Sequence, residues 1–205
     1  MPWKERDTVS LRTRLAGVFR RYGLPERILA DNGSPWGGVS DHGFTPLTVW
    51  LLHVGVAVSH GRPYHPQTQG KDERFHRTLA AEVLRYERFD DLRHCQRRFD
   101  DWREIYNHER PHEALELKVP ASRYRVSERP FPEVLPAIEY APGLAVRKVQ
   151  AEGWIHYRGK EYKVPQAFRG QPVALRPTEF DGVLDVVFCN QTVSKIDLNE
   201  GAGKR

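Results

Sequence analysis

An aspartate at position 31 stands where a carboxylate could hold a metal ion. It follows the apolar run Ile28-Leu29-Ala30 and begins the triplet Asp-Asn-Gly. The run predicts a short buried strand that ends at Asp31, and ligands of open α/β sheets bind at the carboxyl ends of the strands. The alternative is a plain turn, because Asp-Asn-Gly is also strong turn chemistry.

A second acid, Glu73, lies at the start of a predicted helix. The stretch before it, residues 66 to 70, is composed of turn and breaker residues, and apolar side chains then recur every four positions, at Phe75, Leu79 and Val83. At about 100° per residue, Glu73 points away from this stripe and shares its face with His76 and Arg77. An exposed carboxylate on a rigid helix suits metal ligation, although a solvated glutamate in the first helical turn is the simpler alternative.

The elements around these acids alternate between helix and strand. Thr8 to Tyr22 is predicted to be a helix with Asp7 as its N-cap, and Gly23 ends that helix before the strand at 28–30. Thr45 as N-cap and Pro46 at the first helical position predict a second helix to about His53, followed by a strand from Val54 to Ser59. This order predicts an α/β fold.

A long amphipathic helix is predicted from Phe89 to Tyr106. Its apolar residues are spaced by three or four, so they are expected to form core; they are Leu92, Cys95, Phe99, Trp102 and Ile105. The histidines at 42, 60 and 65 lie in loops without the spacing or the cysteines of zinc sites, so surface roles are favoured.

The character of the chain changes after Leu117. Five prolines between there and Gly143 predict a partly extended linker, and from Leu144 the apolar period becomes two. Six short strands are predicted, near 145–149, 154–157, 161–164, 173–175, 184–188 and 193–198, which is typical of a small β-barrel. Residues 144 to 205 contain ten Lys or Arg against seven Asp or Glu, more than half of the net charge of +5.

Composition excludes several classes of protein. The 205 residues are 39% hydrophobic and 29% charged, and the most apolar run, Val49 to Val58, is far shorter than the roughly 20 residues of a membrane span. Two cysteines, Cys95 and Cys189, are too few for a disulfide framework or a zinc cluster. The first residues contain no apolar signal core, so a cytoplasmic location is expected.

The order of several short motifs resembles the integrase core of bacterial insertion-sequence transposases, which are relatives of retroviral integrases. The resemblance covers roughly residues 8 to 125. The motifs are the strand with Asp31-Asn32-Gly33, then Gly55-Val56 and Ser59, Pro63-Tyr64-His65-Pro66-Gln67, Gly70-Lys71-Asp72-Glu73-Arg74, Tyr106 to Leu115, and Pro120 to Tyr124.

The resemblance implies a ribonuclease-H-like integrase core, incomplete because its early strands are missing, over residues 1–125. A Pro-rich linker over 126–143 and an SH3-like β-barrel that binds DNA over 144–200 would follow. Asp31 and Glu73 correspond to the second and third members of the family's Asp-Asp-Glu triad, so both are expected to be catalytic and metal-binding. Carboxylates without soft ligands select Mg²⁺ or Mn²⁺.

The first aspartate of that triad has no counterpart here, because it lies on an early strand and the sequence starts too late to contain it. An N-terminally shortened chain with defective DNA cleavage and strand transfer is therefore expected. The alternative is an inactive DNA-binding remnant or regulator of transposition.

Duplex DNA, at the element ends and the target, is the expected partner, together with self-association. The candidate phosphate contacts are Lys71, Arg74 and Arg77 near Glu73, and Arg147, Lys148, Arg158, Lys160 and Lys163 in the C-terminal part. Many relatives carry a basic residue where this chain has Ala80, and Arg77 is expected to replace it.

Overall fold

The computed structural model describes residues 3–37, 43–60 and 70–199, with the backbone alone for residues 3–9. The chain divides into two compact units, the first made of residues 1–60 and 127–205 and the second of residues 61–126. Among the helices described, none has the length and apolar character needed to cross a bilayer.

The first unit begins with the predicted alternation of helix and strand. Helix α1 spans Trp3–Tyr22, strand β1 spans Arg27–Ala30, helix α2 spans Pro46–His53 and strand β2 spans Ala57–His60. The two strands pair in parallel, from Arg27 with Ala57 to Ala30 with His60. Both strands therefore end at the same edge, as in the α/β arrangement predicted from the sequence.

Three predictions for this region need correction. Helix α1 begins at Trp3 and not near Thr8, because Lys, Glu and Arg in the preceding residues are good helix formers. Strand β2 starts three residues later than predicted, since Gly55 takes a positive φ of 80° after the helix. Strand β1 is only partly buried, with Leu29 52% exposed, so its apolar sequence does not mark a fully covered strand.

Helix α2 is buried on nearly every side. Its start is fixed as predicted, by a capping box in which Thr45 and Thr48 bond each other's backbone N–H, with Pro46 in the first turn. Leu47, Trp50 and Leu51 pack with α1 and β1, whereas Val49 and Leu52 pack with the C-terminal strands. The helix is therefore shared by two apolar clusters, which explains why its sequence is apolar all round.

The C-terminal strands of the first unit agree with the predicted ones to within three residues at each end. They are β3 at Ala145–Lys148, β4 at Trp154–Tyr157, β5 at Lys160–Lys163, β6 at Pro172–Pro177, β7 at Val183–Phe188 and β8 at Gln191–Asp197. Strands β3, β6, β7 and β8 form an antiparallel sheet in that order, and β4 and β5 form a separate hairpin. Closure into the predicted barrel is not observed among the described strands.

The linker was predicted at 126–143; residues 127–143 have no helix or strand and pack closely against the rest of the first unit. The Arg129 carbonyl accepts the Leu24 N–H at 2.7 Å, and the Arg129 guanidinium donates to the carbonyls of Pro25 and Gly55. Phe131 packs against Phe19 and Trp50. This segment is therefore held in place along its length, and the predicted domain boundaries stay predictions.

The second unit is helical. Helix α3 spans Gly70–Leu79 and continues as a π-helical turn at Ala80–Leu84, and helix α4 spans Leu92–His108. Short 3₁₀ turns follow at Glu113–Leu115 and Pro120–Arg123.

The predicted core of α4 is wrong at two positions, since Leu92 is 88% and Ile105 52% exposed. Cys95, Phe99 and Trp102 are half-buried. The neighbouring elements therefore cover only part of the apolar face of α4.

Candidate active-site and DNA-binding residues

Asp31 lies immediately after β1, at the edge where both parallel strands end. Its carboxylate is exposed, and one oxygen accepts the N–H of Gly33 at 3.1 Å. The His60 ring, at the end of β2, lies 2.8 Å from the Asp31 carbonyl oxygen through Nδ1. Strand pairing and this local bond together hold the carboxylate at the open edge of the sheet.

The glycines after Asp31 allow the loop to approach the strand ends closely. A Cβ at Gly33 would stand 3.3 Å from both carboxylate oxygens of Asp31. A Cβ at Gly37 would stand 3.2 Å from the His60 ring and 3.1 Å from the Asn32 carbonyl oxygen. Larger residues would therefore press on the groups that position the carboxylate.

Glu73 lies in the first turn of α3, in the second unit, and its carboxylate is exposed as predicted. Its neighbour Asp72 forms an i,i+4 pair with His76 at 3.5 Å. The three cationic residues predicted nearby, Lys71, Arg74 and Arg77, are all exposed on the same short helix. A phosphate or a metal could therefore reach this turn from solvent.

Helix α3 is anchored on α4 by aromatic contacts. Phe75 meets Trp102 and Tyr106 edge to face, with ring centroids 5.5 Å apart in both pairs. Trp102 Nε1 donates to Glu82 at 2.8 Å, and Arg110 pairs with the same carboxylate. Partial burial raises the pKa of Glu82, but the hydrogen bonds from Trp102 and Arg110 and the Arg110 charge outweigh it and leave the pKa below its usual range.

The cluster of Glu82, Trp102 and Arg110 was not predicted from the sequence. Trp102 and Arg110 lie 20 and 28 positions from Glu82, so no local spacing of residues could indicate the cluster.

The predicted pairing of Asp31 with Glu73 stays a prediction, because the two residues belong to different units. Among the described side chains, which are those of residues 10–37, 43–60 and 70–199, no three His, Cys, Asp or Glu groups are placed to hold a metal ion together. The motif at 63–67 lies outside the described residues.

A cluster of cations and aromatic rings forms in the C-terminal strands. The guanidinium carbons of Arg147 and Arg158 both lie 5.4 Å from the ring centroid of Tyr157, and Lys163 Nζ lies 5.1 Å from that of Trp154. These distances are within the range of cation–π attraction. We call Arg147, Trp154, Tyr157, Arg158, Lys160 and Lys163 the hairpin surface.

Hydrogen bonds to backbone carbonyls orient three cations of the hairpin surface, Arg147, Lys160 and Lys163. Arg147 Nε donates to the His156 carbonyl at 3.0 Å, and Lys160 Nζ donates to the Leu198 carbonyl at 3.2 Å. The fifth predicted cation, Lys148, is exposed at the end of β3 and pairs in register with Pro172. The two aromatic rings were not predicted, although alternation of aromatic and basic residues along β4 and β5 was a usable signal.

Known proteins match separate parts of the chain. Residues 54–120 match the integrase core domain, and residues 144–204 match the C-terminal domain of IS481 family transposases. The transposase for insertion sequence element IS21 from Pseudomonas aeruginosa is 30% identical over 120 residues, which are 56% of this chain. The chain spans 30% of the length of that relative.

A solved structure with a similar chain is the cryo-EM structure of the simian T-cell lymphotropic virus intasome in complex with PP2A regulatory subunit B56 gamma. The TM-score is 0.42 at 15% identity, over 91% of this chain and 65% of the other. The integrase-core match fits the ribonuclease-H-like α/β fold expected from the sequence. The two domain matches and the transposase relative together support an insertion-sequence transposase with an integrase-type core.

Proposed function

We propose that this chain acts in metal-dependent DNA strand cleavage and strand transfer, with Asp31 and Glu73 as metal-binding carboxylates. The observation that carries the proposal is the position of Asp31, exposed at the common end of two parallel strands and oriented by the Gly33 N–H. Ligands of open α/β sheets bind at this position. The match to the integrase core domain and the transposase relative support the same chemistry.

The donor set fits a hard divalent cation. Both carboxylates are exposed, and oxygen ligands without thiolates favour Mg²⁺ or Mn²⁺. When bound, such an ion makes a water or a 3′-hydroxyl more nucleophilic and stabilises the leaving oxygen of a phosphodiester. Asp31 and Glu73 would hold the ion, while Lys71, Arg74 and Arg77 would bind and orient the phosphates.

Metal binding can be tested by thermal unfolding of the full chain in Mg²⁺ or Mn²⁺. A bound ion at ten times its dissociation constant stabilises the native state by about 1.4 kcal/mol. The double variant Asp31→Asn with Glu73→Gln should lose this shift. The matched control is Asp72→Asn, which removes a carboxylate next to Glu73, and it should keep the shift. A shift of equal size in the double variant would refute the assignment.

We further propose that residues 144–200 are an SH3-like DNA-binding domain and that the hairpin surface binds duplex DNA. Its cations, with Lys148, would contact phosphates, so log affinity should fall with log salt by about 0.9 per contact. Changing Arg158 and Lys160 to glutamine should reduce that slope by about 1.8. Arg176→Gln is the control, because Arg176 pairs with Asp185 on β7 and lies outside this surface. An unchanged slope in the double variant would contradict the proposal.

A second candidate function is DNA binding without cleavage, as a regulator of transposition. It is favoured by the hairpin surface, which is built from β3, β4, β5 and the turn between β4 and β5 and needs neither carboxylate. Incubation of the full chain with supercoiled DNA and Mn²⁺ separates the two candidates. Nicking that disappears in Asp31→Asn supports strand cleavage, whereas salt-dependent binding without nicking supports the second candidate. Sedimentation with and without DNA tests the proposed self-association.

A further inference from the structure

A second basic site lies in the first unit, and its lining includes neither Asp31 nor any residue of the hairpin surface. It is a groove of about 680 Å³ between α1, α2 and the 3₁₀ helix Gln166–Phe168, within the size range of ligand sites. We call it the basic groove. The lining residues that matter here are Arg12, Trp50, His53, Gln166, Arg169 and Gln171.

The charge of the groove is positive. Arg12 and Arg169 are both exposed, and among the described residues that line the groove none is acidic. The guanidinium of Arg12 lies 5.1 Å from the ring centroid of Trp50, which holds the cation against the wall of the groove. Two cations from different parts of the chain, with no acidic residue among the described lining residues, favour an anionic ligand.

A neighbouring cavity has acidic residues in its lining, in contrast to the basic groove. This cavity, of about 360 Å³, shares His53 with the basic groove but is lined by Glu26 and Glu139. His53 Nε2 lies 2.9 Å from the Pro136 carbonyl oxygen, so the ring is fixed where the two cavities meet. The two adjacent cavities therefore differ in the sign of their charge, and only the basic groove suits an anion.

We infer that the basic groove binds a single, unpaired DNA strand. This inference rests on the proposed function, because it adds a strand-binding site to a DNA-processing chain. The guanidinium forks of Arg12 and Arg169 match phosphate geometry, and the amide of Gln171 can donate to and accept from base edges. A concave groove admits an extended strand, whereas a duplex is a convex rod that contacts protruding side chains such as those of the hairpin surface.

The test is fluorescence anisotropy of the full chain with a labelled oligothymidine and, separately, a duplex of the same length. Arg12→Gln with Arg169→Gln should weaken single-strand binding at least about tenfold and reduce its salt slope by about 1.4, at roughly 0.7 per contact. Duplex affinity should stay within about twofold. The control is Arg14→Gln with Arg21→Gln, which removes equal charge from α1 without changing the lining of the groove.

A single-residue variant and a competition experiment test the single-strand site further. Arg169→Glu alone changes an exposed side chain, so it should preserve the melting temperature and still abolish single-strand binding. Unchanged single-strand binding in either groove variant, or an equal loss in the control, would overturn the inference. Competition by polyglutamate as strong as by oligothymidine would also overturn it, because the groove would then be a peptide site. Unchanged duplex binding in the hairpin-surface variants would count against the proposed function, but it would not affect the single-strand measurements on the groove variants.

Discussion

Replacing Leu51 by alanine should destabilise the whole first unit, including strands that Leu51 does not contact. Leu51 is fully buried in the cluster formed by α1, β1 and α2, whereas Leu52, 8% exposed, packs in the cluster of the C-terminal sheet. Both side chains belong to the same eight-residue helix, so loss of either contact weakens the helix that the two clusters share. Leu→Ala in a packed core costs about 2–5 kcal/mol.

The magnitude makes the effect easy to detect. Two such losses together reach about 4–10 kcal/mol, comparable with the 5–15 kcal/mol that stabilises a whole domain. Each single variant should therefore unfold at clearly lower urea concentration, and the double variant should be largely unfolded without denaturant. Leu92→Ala is the control, because an 88% exposed leucine in the second unit should change stability by no more than about 0.5 kcal/mol.

Hydrogen exchange followed by mass spectrometry locates the effect along the chain. In Leu51→Ala, the free energy of opening measured for peptides from β6, β7 and β8 should fall by the same amount as for peptides from α1 and β1, because both clusters open together. Faster exchange confined to residues 3–60, with β6 to β8 as protected as in the unchanged chain, would refute the coupling. The C-terminal strands would then be an independent folding unit.

Two further predictions follow from individual side chains. Burial raises the pKa of Cys189 to about 11, so only about 0.1% of this thiol is ionised at pH 8. Because the thiolate is the reactive form, iodoacetamide should label Cys189 far more slowly in the native protein than in urea, as measured by peptide mass spectrometry. Equal labelling rates in both conditions would contradict the burial of this thiol. The pKa of Glu82 is lowered, so its stabilising effect is present above the ordinary glutamate value of about 4.3 and is lost as the pH falls through the folded value. The stability lost between pH 5 and pH 3 should therefore be smaller in Glu82→Gln, as measured by urea unfolding, and an unchanged pH dependence would count against this role.

Local sequence patterns were sufficient to predict which helices and strands form, although not every boundary, and where the candidate carboxylates lie. Thr45 and Pro46 fixed the start of α2, because capping depends only on neighbours along the chain. The alternating period located all six C-terminal strands, and the run before Asp31 placed that carboxylate at the end of β1. Motif order was also enough to indicate a resemblance to integrase-core transposases, which the two domain matches support, because motif order depends on residues and their spacing and needs no knowledge of packing.

The tertiary structure alone decided how these elements share their apolar surfaces. Nothing local shows that Val49 and Leu52 face the C-terminal strands while Leu51 faces α1, because a helix that is apolar all round carries no direction. Nor could spacing show that Leu92 stays exposed while Val83 is buried, since burial depends on what covers a helix. The basic groove combines Arg12 with Arg169, which are distant in sequence and line the same groove only because folding packs both α1 and the 3₁₀ helix against α2.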